Sequence, residues 1–262
     1  MKIYILTDIE GVGGIHRREQ SSPSGSEYPA ARELLTNEIN AVVEGALEGG
    51  ASEVLVSDSH AGGGNVIWNK LHPKATMVTP CGHGNWAPGL DSKIDAMFLL
   101  GNHAMAGTQD GILNHTFSSA TIFNFTINGK KYGEIGVAAI VAGHYKVPVV
   151  FCSGDLAAVR EAKKLLGGLE GVVVKEGYSM YKGKLFTPEK SCELVRNGAK
   201  RAMSKIGSIK PYILKPPYKL KMEFMRSDFA DENMDIAGNK RLDSRSIGRT
   251  VNSVFELLSI YH

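Results

Sequence analysis

Two acidic residues close the first apolar run of the chain, Ile3-Tyr4-Ile5-Leu6-Thr7-Asp8-Ile9-Glu10-Gly11. At alternate positions of an extended segment, Asp8 and Glu10 project to one face. Paired carboxylates repel, more strongly once desolvated, and a cation between them relieves the repulsion. Such a cation needs further ligands, and later apolar runs offer them. Val54-Leu55-Val56-Ser57-Asp58-Ser59-His60 ends on His60, and Ala96-Met97-Phe98-Leu99-Leu100-Gly101-Asn102-His103 ends on His103. His115 follows in a polar, glycine-containing loop, and Glu134 opens a small apolar segment. Imidazole with carboxylate is the donor set that suits zinc and related divalent ions.

Each candidate has a role and a plainer alternative. The Asp8 carboxylate can bridge two ions about 3.5–4 Å apart; otherwise it is a loop or N-cap carboxylate. His60 and His103 read as ligands, with Asp58 the acceptor that orients the His60 imidazole. His115 is free to act as acid, base or nucleophile beside the metals. Glu134 is either part of this cluster or a first-turn carboxylate favoured by a helix dipole. Gly11-Val12-Gly13-Gly14 matches neither phosphate-binding glycine pattern, so these glycines are read as letting backbone pass close to the metal site. His16 and His83 are candidates to line a cleft, and Cys81 to be a reactive thiol or ligand.

The elements that must hold these residues follow from periodicity. Strands are expected over 2–7, 53–57, 94–100, 147–152, 172–175 and 220–225. Helices are expected over 30–48, 156–166, 188–204 and 244–258, with shorter ones at 67–71 and from 135. Residues 10–29 read as a long functional loop. Asn128-Gly129 joins 121–127 to 130–132 as a hairpin. Alternating strands and helices imply an α/β fold, a mainly parallel sheet flanked by helices with a smaller C-terminal α/β portion. In such a sheet, ligands bind outside the carboxyl ends of the strands, where the candidates fall. The expected organisation is one α/β unit over 1–262, with a possible sub-domain at about 185–262.

Composition narrows the classes. With 262 residues, 43% hydrophobic and 22% charged, the chain is an ordinary globular protein. A net charge of +3 gives no case for nucleic acid. The basic cluster over 210–221 reads as a proline-punctuated edge strand with solvated lysines. Three scattered cysteines form no disulfide framework and no zinc signature. No apolar run approaches the roughly 18–20 residues of a membrane span, and the first is too short for a signal peptide, so the expectation is a cytoplasmic protein without a membrane partner.

The motif set Asp8-Ile9-Glu10-Gly11, Asp58-Ser59-His60, Gly101-Asn102-His103, Asn114-His115 and Asn128-Gly129 with Gly133-Glu134-Ile135-Gly136 resembles that of the zinc-dependent D-aminopeptidases of the bacterial dipeptide-transport type. The resemblance runs from residue 1 to about 180 and continues more loosely to the end. It implies an α/β fold, two divalent ions (zinc) on Asp8, Glu10, His60, His103 and Glu134, and His115 as the catalytic histidine. It also implies a homo-oligomeric ring that cleaves the N-terminal amide of short peptides beginning with a D-residue. Two rivals share the ligand chemistry: a two-metal phosphatase or phosphodiesterase, and a non-catalytic metal- or peptide-binding ring protein.

Overall fold

The computed structural model describes residues 1–79 and 86–261. Cys81, His83 and His262 lie outside the described residues. In chain order the elements are β1 (Lys2–Thr7), α1 (Arg18–Ser21), α2 (Tyr28–Glu48), β2 (Glu53–Asp58), β3 (Ala75–Val78), β4 (Ala96–Asn102), β5 (Ile122–Ile127), β6 (Lys130–Lys131), α3 (Glu134–His144), β7 (Val149–Asp155), α4 (Leu156–Leu166), β8 (Glu170–Ser179), β9 (Lys182–Leu185), α5 (Pro188–Met203), β10 (Tyr218–Phe224), α6 (Ser227–Glu232), β11 (Lys240–Arg241) and β12 (Ser246–Val251).

They form two sheets. The first runs β3-β2-β1-β4-β7-β8-β9 and is parallel except for its last pair. The second, β11-β12-β10-β5-β6, is antiparallel. The parallel register aligns strand ends: Thr7 lies beside Asp58 on one side and Leu100 on the other. The chain leaves β1 toward β2 and β3 in one direction and toward β4, β7 and β8 in the other. The crevice at the carboxyl ends of β1 and β4 is therefore a topological switch point, where open α/β sheets bind ligands.

Alternation along β1 sorts the layers. Ile3 and Ile5 pack with Leu35, Ile39 and Val43 of α2 and Val195 and Ala199 of α5. Tyr4 and Leu6 join a second core with α3, Ala158 and Ala162 of α4, and the inner face of the second sheet, including Phe125, Met222 and Ile247. α3 has polar residues only at its two ends, because Ile135 to Gly143 are buried without a break. A helix apolar all round belongs inside, and this one lies in the core shared by both sheets.

Three expectations are corrected. Residues 244–258 do not form a helix. Ser246–Val251 is β12, paired with β10, and the chain ends in a short 3-10 turn at Val254–Glu256 capped by Ser253. The apolar spacing of Ile247, Val251 and Val254 suits a helix. However, the β-branched Ile247, Thr250 and Val251 favour a strand, and β10 supplies the partner. The basic segment is not an edge strand: Pro211, Pro216 and Pro217 precede β10, which lies between β12 and β5. Residues 10–29 are not all loop, since they include α1 and the first two residues of α2. β3 and β9 were not expected at all. No helix among the described residues is long and apolar enough to cross a membrane.

Candidate metal centre

The turn after β1 is locked to the end of β4. The Asp8 amide donates to the Leu100 carbonyl at 2.9 Å and the Gly11 amide to the Gly101 carbonyl at 2.7 Å. Glycine at position 11 has a steric cause: a Cβ there would lie 2.0 Å from the Asn102 carbonyl oxygen. This lock brings the first acidic pair to His103, which follows β4. Asp8 and Glu10 converge through the turn rather than through strand alternation, since β1 ends at Thr7.

Asp8 lies between two imidazoles. Its Oδ1 is 3.2 Å from His60 Nδ1 and its Oδ2 is 3.3 Å from His103 Nε2. Glu10 Oε2 is 3.0 Å from His60 Nδ1. Glu134 Oε1, at the first residue of α3, is 3.4 Å from His103 Nε2 and 3.6 Å from His115 Nε2. The His103 and His115 rings stack with centroids 3.9 Å apart. All five residues expected as ligands and the expected catalytic histidine thus meet in one cluster.

Backbone carbonyls, which only accept, set the protonation pattern. His60 Nε2 faces the Ser21 carbonyl at 2.8 Å, His103 Nδ1 that of Ala104 at 3.0 Å, and His115 Nδ1 that of Leu113 at 2.8 Å. Those nitrogens carry the proton, leaving His60 Nδ1, His103 Nε2 and His115 Nε2 as the ones aimed at the acids. Asp58 does not orient His60. Its carboxylate takes the Asn65 and Val66 amides and the Asn65 side chain, and the Ser21 carbonyl does the orienting instead.

The electrostatics are those of a site short of cations. Burial disfavours charge on His60, but Glu10 and Asp8 outweigh it and push the imidazole up to about 12. His103 is likewise raised to about 10 against its burial, chiefly by Glu134. Burial would raise Asp8, yet the hydrogen bond from His60 and the charge of His103 hold it well below the usual carboxylate range. Glu134 is lowered in the same way, by His103 against burial. Without metal, the cluster therefore keeps protons that a divalent ion would displace.

Two buried oxygens test the fit to metal. Asp8 Oδ2 and Glu10 Oε2 accept no hydrogen bond, although each lies near an imidazole nitrogen. Ligand atoms about 2.0–2.1 Å from one tetrahedral zinc stand about 3.3 Å apart, close to the separations seen here. Among the described residues, two groups, Asp8 with Glu10 and His103, and His103 with His115 and Glu134, offer ligand atoms all within 4.8 Å of one another. The donors fit a divalent ion.

The cluster opens into a cavity of about 1030 Å³, with Asp8, Glu10, His60, His115 and Glu134 among its lining residues. Trp86, Phe117 and Tyr261 contribute aromatic surface, and among the described residues the exposed Arg18 is the one lysine or arginine of the lining. His103 lies behind the stacked His115, and the lining does not include His16.

A family profile described as D-aminopeptidase matches residues 1–262. The chain belongs to the D-aminopeptidase family. Over 231 residues it is 33% identical to the D-aminopeptidase of Bacillus subtilis (strain 168), spanning 86% of this chain and 81% of that one. This family member also superimposes on the Zn-dependent D-aminopeptidase DppA from Bacillus subtilis, a self-compartmentalizing protease. The TM-score is 0.94 at 28% identity, over 99% of this chain and 95% of that one.

Two residues behind the cluster escaped the sequence reading. Lys175 is fully buried on β8, and Glu38 is buried on α2. Both left a signal. Lys175 ends the apolar run Val172-Val173-Val174 within a strand, and Glu38 occupies the apolar stripe of Leu34, Leu35, Ile39 and Val42.

Proposed function

We propose that this protein is a binuclear metal-dependent aminopeptidase that hydrolyses the N-terminal amide of short peptides carrying an N-terminal D-residue. The observation that carries the two-ion reading is the placement of Asp8, whose oxygens face different imidazoles at 3.2 and 3.3 Å. Asp8, Glu10 and His60 would hold one ion, and Asp8, His103 and Glu134 the other. Family membership makes zinc the natural choice, and two such ions when bound polarise the scissile carbonyl and lower the pKa of a water to about 7.

The chain's own residues supply the rest. His115 keeps Nδ1 protonated against the Leu113 carbonyl, so its Nε2 is the atom that takes or gives a proton, toward the leaving amine. A free α-amino group, held by a bound ion or by an acidic side chain, would favour attack at the first amide. The aromatic walls cover the substrate and exclude water. A phosphate ester is the poorer fit, because among the described lining residues Arg18 is the one lysine or arginine and it is exposed, so no arginine clamp faces the cluster. A homo-oligomeric ring is the expected assembly, in line with the self-compartmentalizing relative. Free Cys152 and Cys192 suit a reducing, cytoplasmic setting.

The test is a panel of D-alanyl and L-alanyl amides and a phosphate monoester, offered to zinc-loaded protein of measured metal content. Two ions per chain with preferential turnover of the D-amide supports the reading. Turnover of the ester alone, or tight peptide binding without hydrolysis at full metal loading, overturns it. Light scattering checks the assembly.

A further inference from the structure

Lys175 is the one lysine or arginine that is buried among the described residues, and nothing in the reaction above uses it. Taking an ammonium out of water is costly unless it is paired and hydrogen-bonded. Here Nζ donates to the carbonyls of Glu10, Val12 and Ile15 at 2.5, 2.9 and 2.5 Å. Three protons meet three acceptors, which exhausts the group. All three acceptors belong to the turn that carries Glu10 out of β1. From α2, Glu38 Oε1 accepts the Gly13 amide of the same turn at 2.8 Å.

The other proposed ligands have supports of their own. His60 is held by the Ser21 carbonyl, His103 by that of Ala104, and Glu134 by the Phe117 amide at 2.8 Å. Glu10 differs: its Oε2 accepts no hydrogen bond, so its carboxylate is aimed by its backbone. A residue that fixes that backbone fixes the ligand.

We propose that Lys175, backed by Glu38, is a positioning residue that clamps the turn over 10–15 and aims the Glu10 carboxylate at His60, setting the affinity of one ion without setting that of the other. This rests on the two-ion reading. Lys175 acts through Glu10, so its effect falls on the ion held by Asp8, Glu10 and His60 and spares the ion held by Asp8, His103 and Glu134.

The experiment is zinc titration of metal-free protein against a chromophoric chelator, with metal content by elemental mass spectrometry. Wild type, Lys175→Met, Glu10→Gln and the double variant are compared, after circular dichroism shows native structure. Lys175→Met should weaken one ion by about 10–100-fold, the usual scale for groups that support a ligand, and leave the other in place. Added to Glu10→Gln, it should cost nothing further. Wild-type affinity for both ions in Lys175→Met, equal weakening of both, or full additivity with Glu10→Gln overturns the proposal. If Lys175→Met does not fold, Glu38 decides. Glu38→Leu removes the acceptor of the Gly13 amide and should weaken the same ion, whereas Glu38→Gln keeps it and should bind both. Indistinguishable Leu and Gln variants overturn the clamp. A wild-type chain that binds a single ion overturns the two-ion reading and the clamp together; two ions in wild type and variant alike overturn the clamp alone.

Discussion

A single methyl group at Gly11 should empty the metal centre although Gly11 offers no ligand. A Cβ there would lie 2.0 Å from the Asn102 carbonyl oxygen and 2.4 Å from the Gly101 carbonyl carbon. Cβ atoms essentially never approach closer than 3.0 Å, so the turn after β1 and the end of β4 must part by about 1 Å. That movement separates Asp8 and Glu10 from His103. Metal-ligand distances hold to about ±0.2 Å, so the displacement is roughly five times what a site tolerates. Gly11→Ala should therefore keep its secondary structure but bind fewer zinc ions, with activity falling in proportion. Gly168→Ala, where a Cβ meets nothing within 4 Å, is the control and should bind metal like wild type. Zinc content by elemental mass spectrometry, read beside circular dichroism, decides it. A Gly11→Ala protein carrying its full zinc would refute the claim that the β1–β4 lock sets the ligand spacing.

Asp8→Ala should remove both ions, since its two oxygens face both imidazoles; retention of one ion at wild-type affinity would show that Asp8 does not bridge. His115→Ala should lower kcat by about 10²–10⁴ while zinc content stays unchanged, and loss of an ion would instead make His115 a ligand. Glu38 gives a pH signature. Burial pushes its carboxyl up from 4.5 to about 7, against the Gly13 amide and Lys175. The folded chain then keeps a proton that the unfolded chain loses, so this group's contribution is fully present below about 4.5 and is lost as pH rises through about 7. Glu38→Gln should raise Tm relative to wild type by more at pH 8 than at pH 5, and equal gains at both would count against a buried carboxyl.

Much of the site was legible because its residues end apolar runs. A strand that stops on Asp8, His60 or His103 places the side chain at a sheet's rim, and parallel register brings those rims together. The groups that hold the candidate ligands in place were less legible. Ser21 orients His60 through a backbone carbonyl, which no side-chain pattern announces, and Asp58 looked the better partner only because it is close in sequence. Glu38 breaks an apolar stripe and Lys175 closes an apolar run, but a charge at such a place does not say what it faces. At the C-terminus, Ile247, Val251 and Val254 fit helical spacing, and only pairing with β10 makes the segment a strand. Strand pairs distant in sequence, such as β5 with β10, are decided by tertiary packing that local propensity does not encode.

The topology also separates what can drift from what cannot. The acids, His60 and His103 stand at the rims of β1, β2 and β4 and at the head of a helix buried between two sheets, while His115 stands on the β4–β5 connection. The cavity walls, by contrast, come from connections: Trp86 precedes β4, Phe117 lies between β4 and β5, and Tyr261 follows the last strand. Insertions and exchanges in connections are tolerated far better than changes at strand ends. That division would let exchanges in the connections reshape which side chains the cavity admits while the proposed ligands at the strand ends keep their spacing.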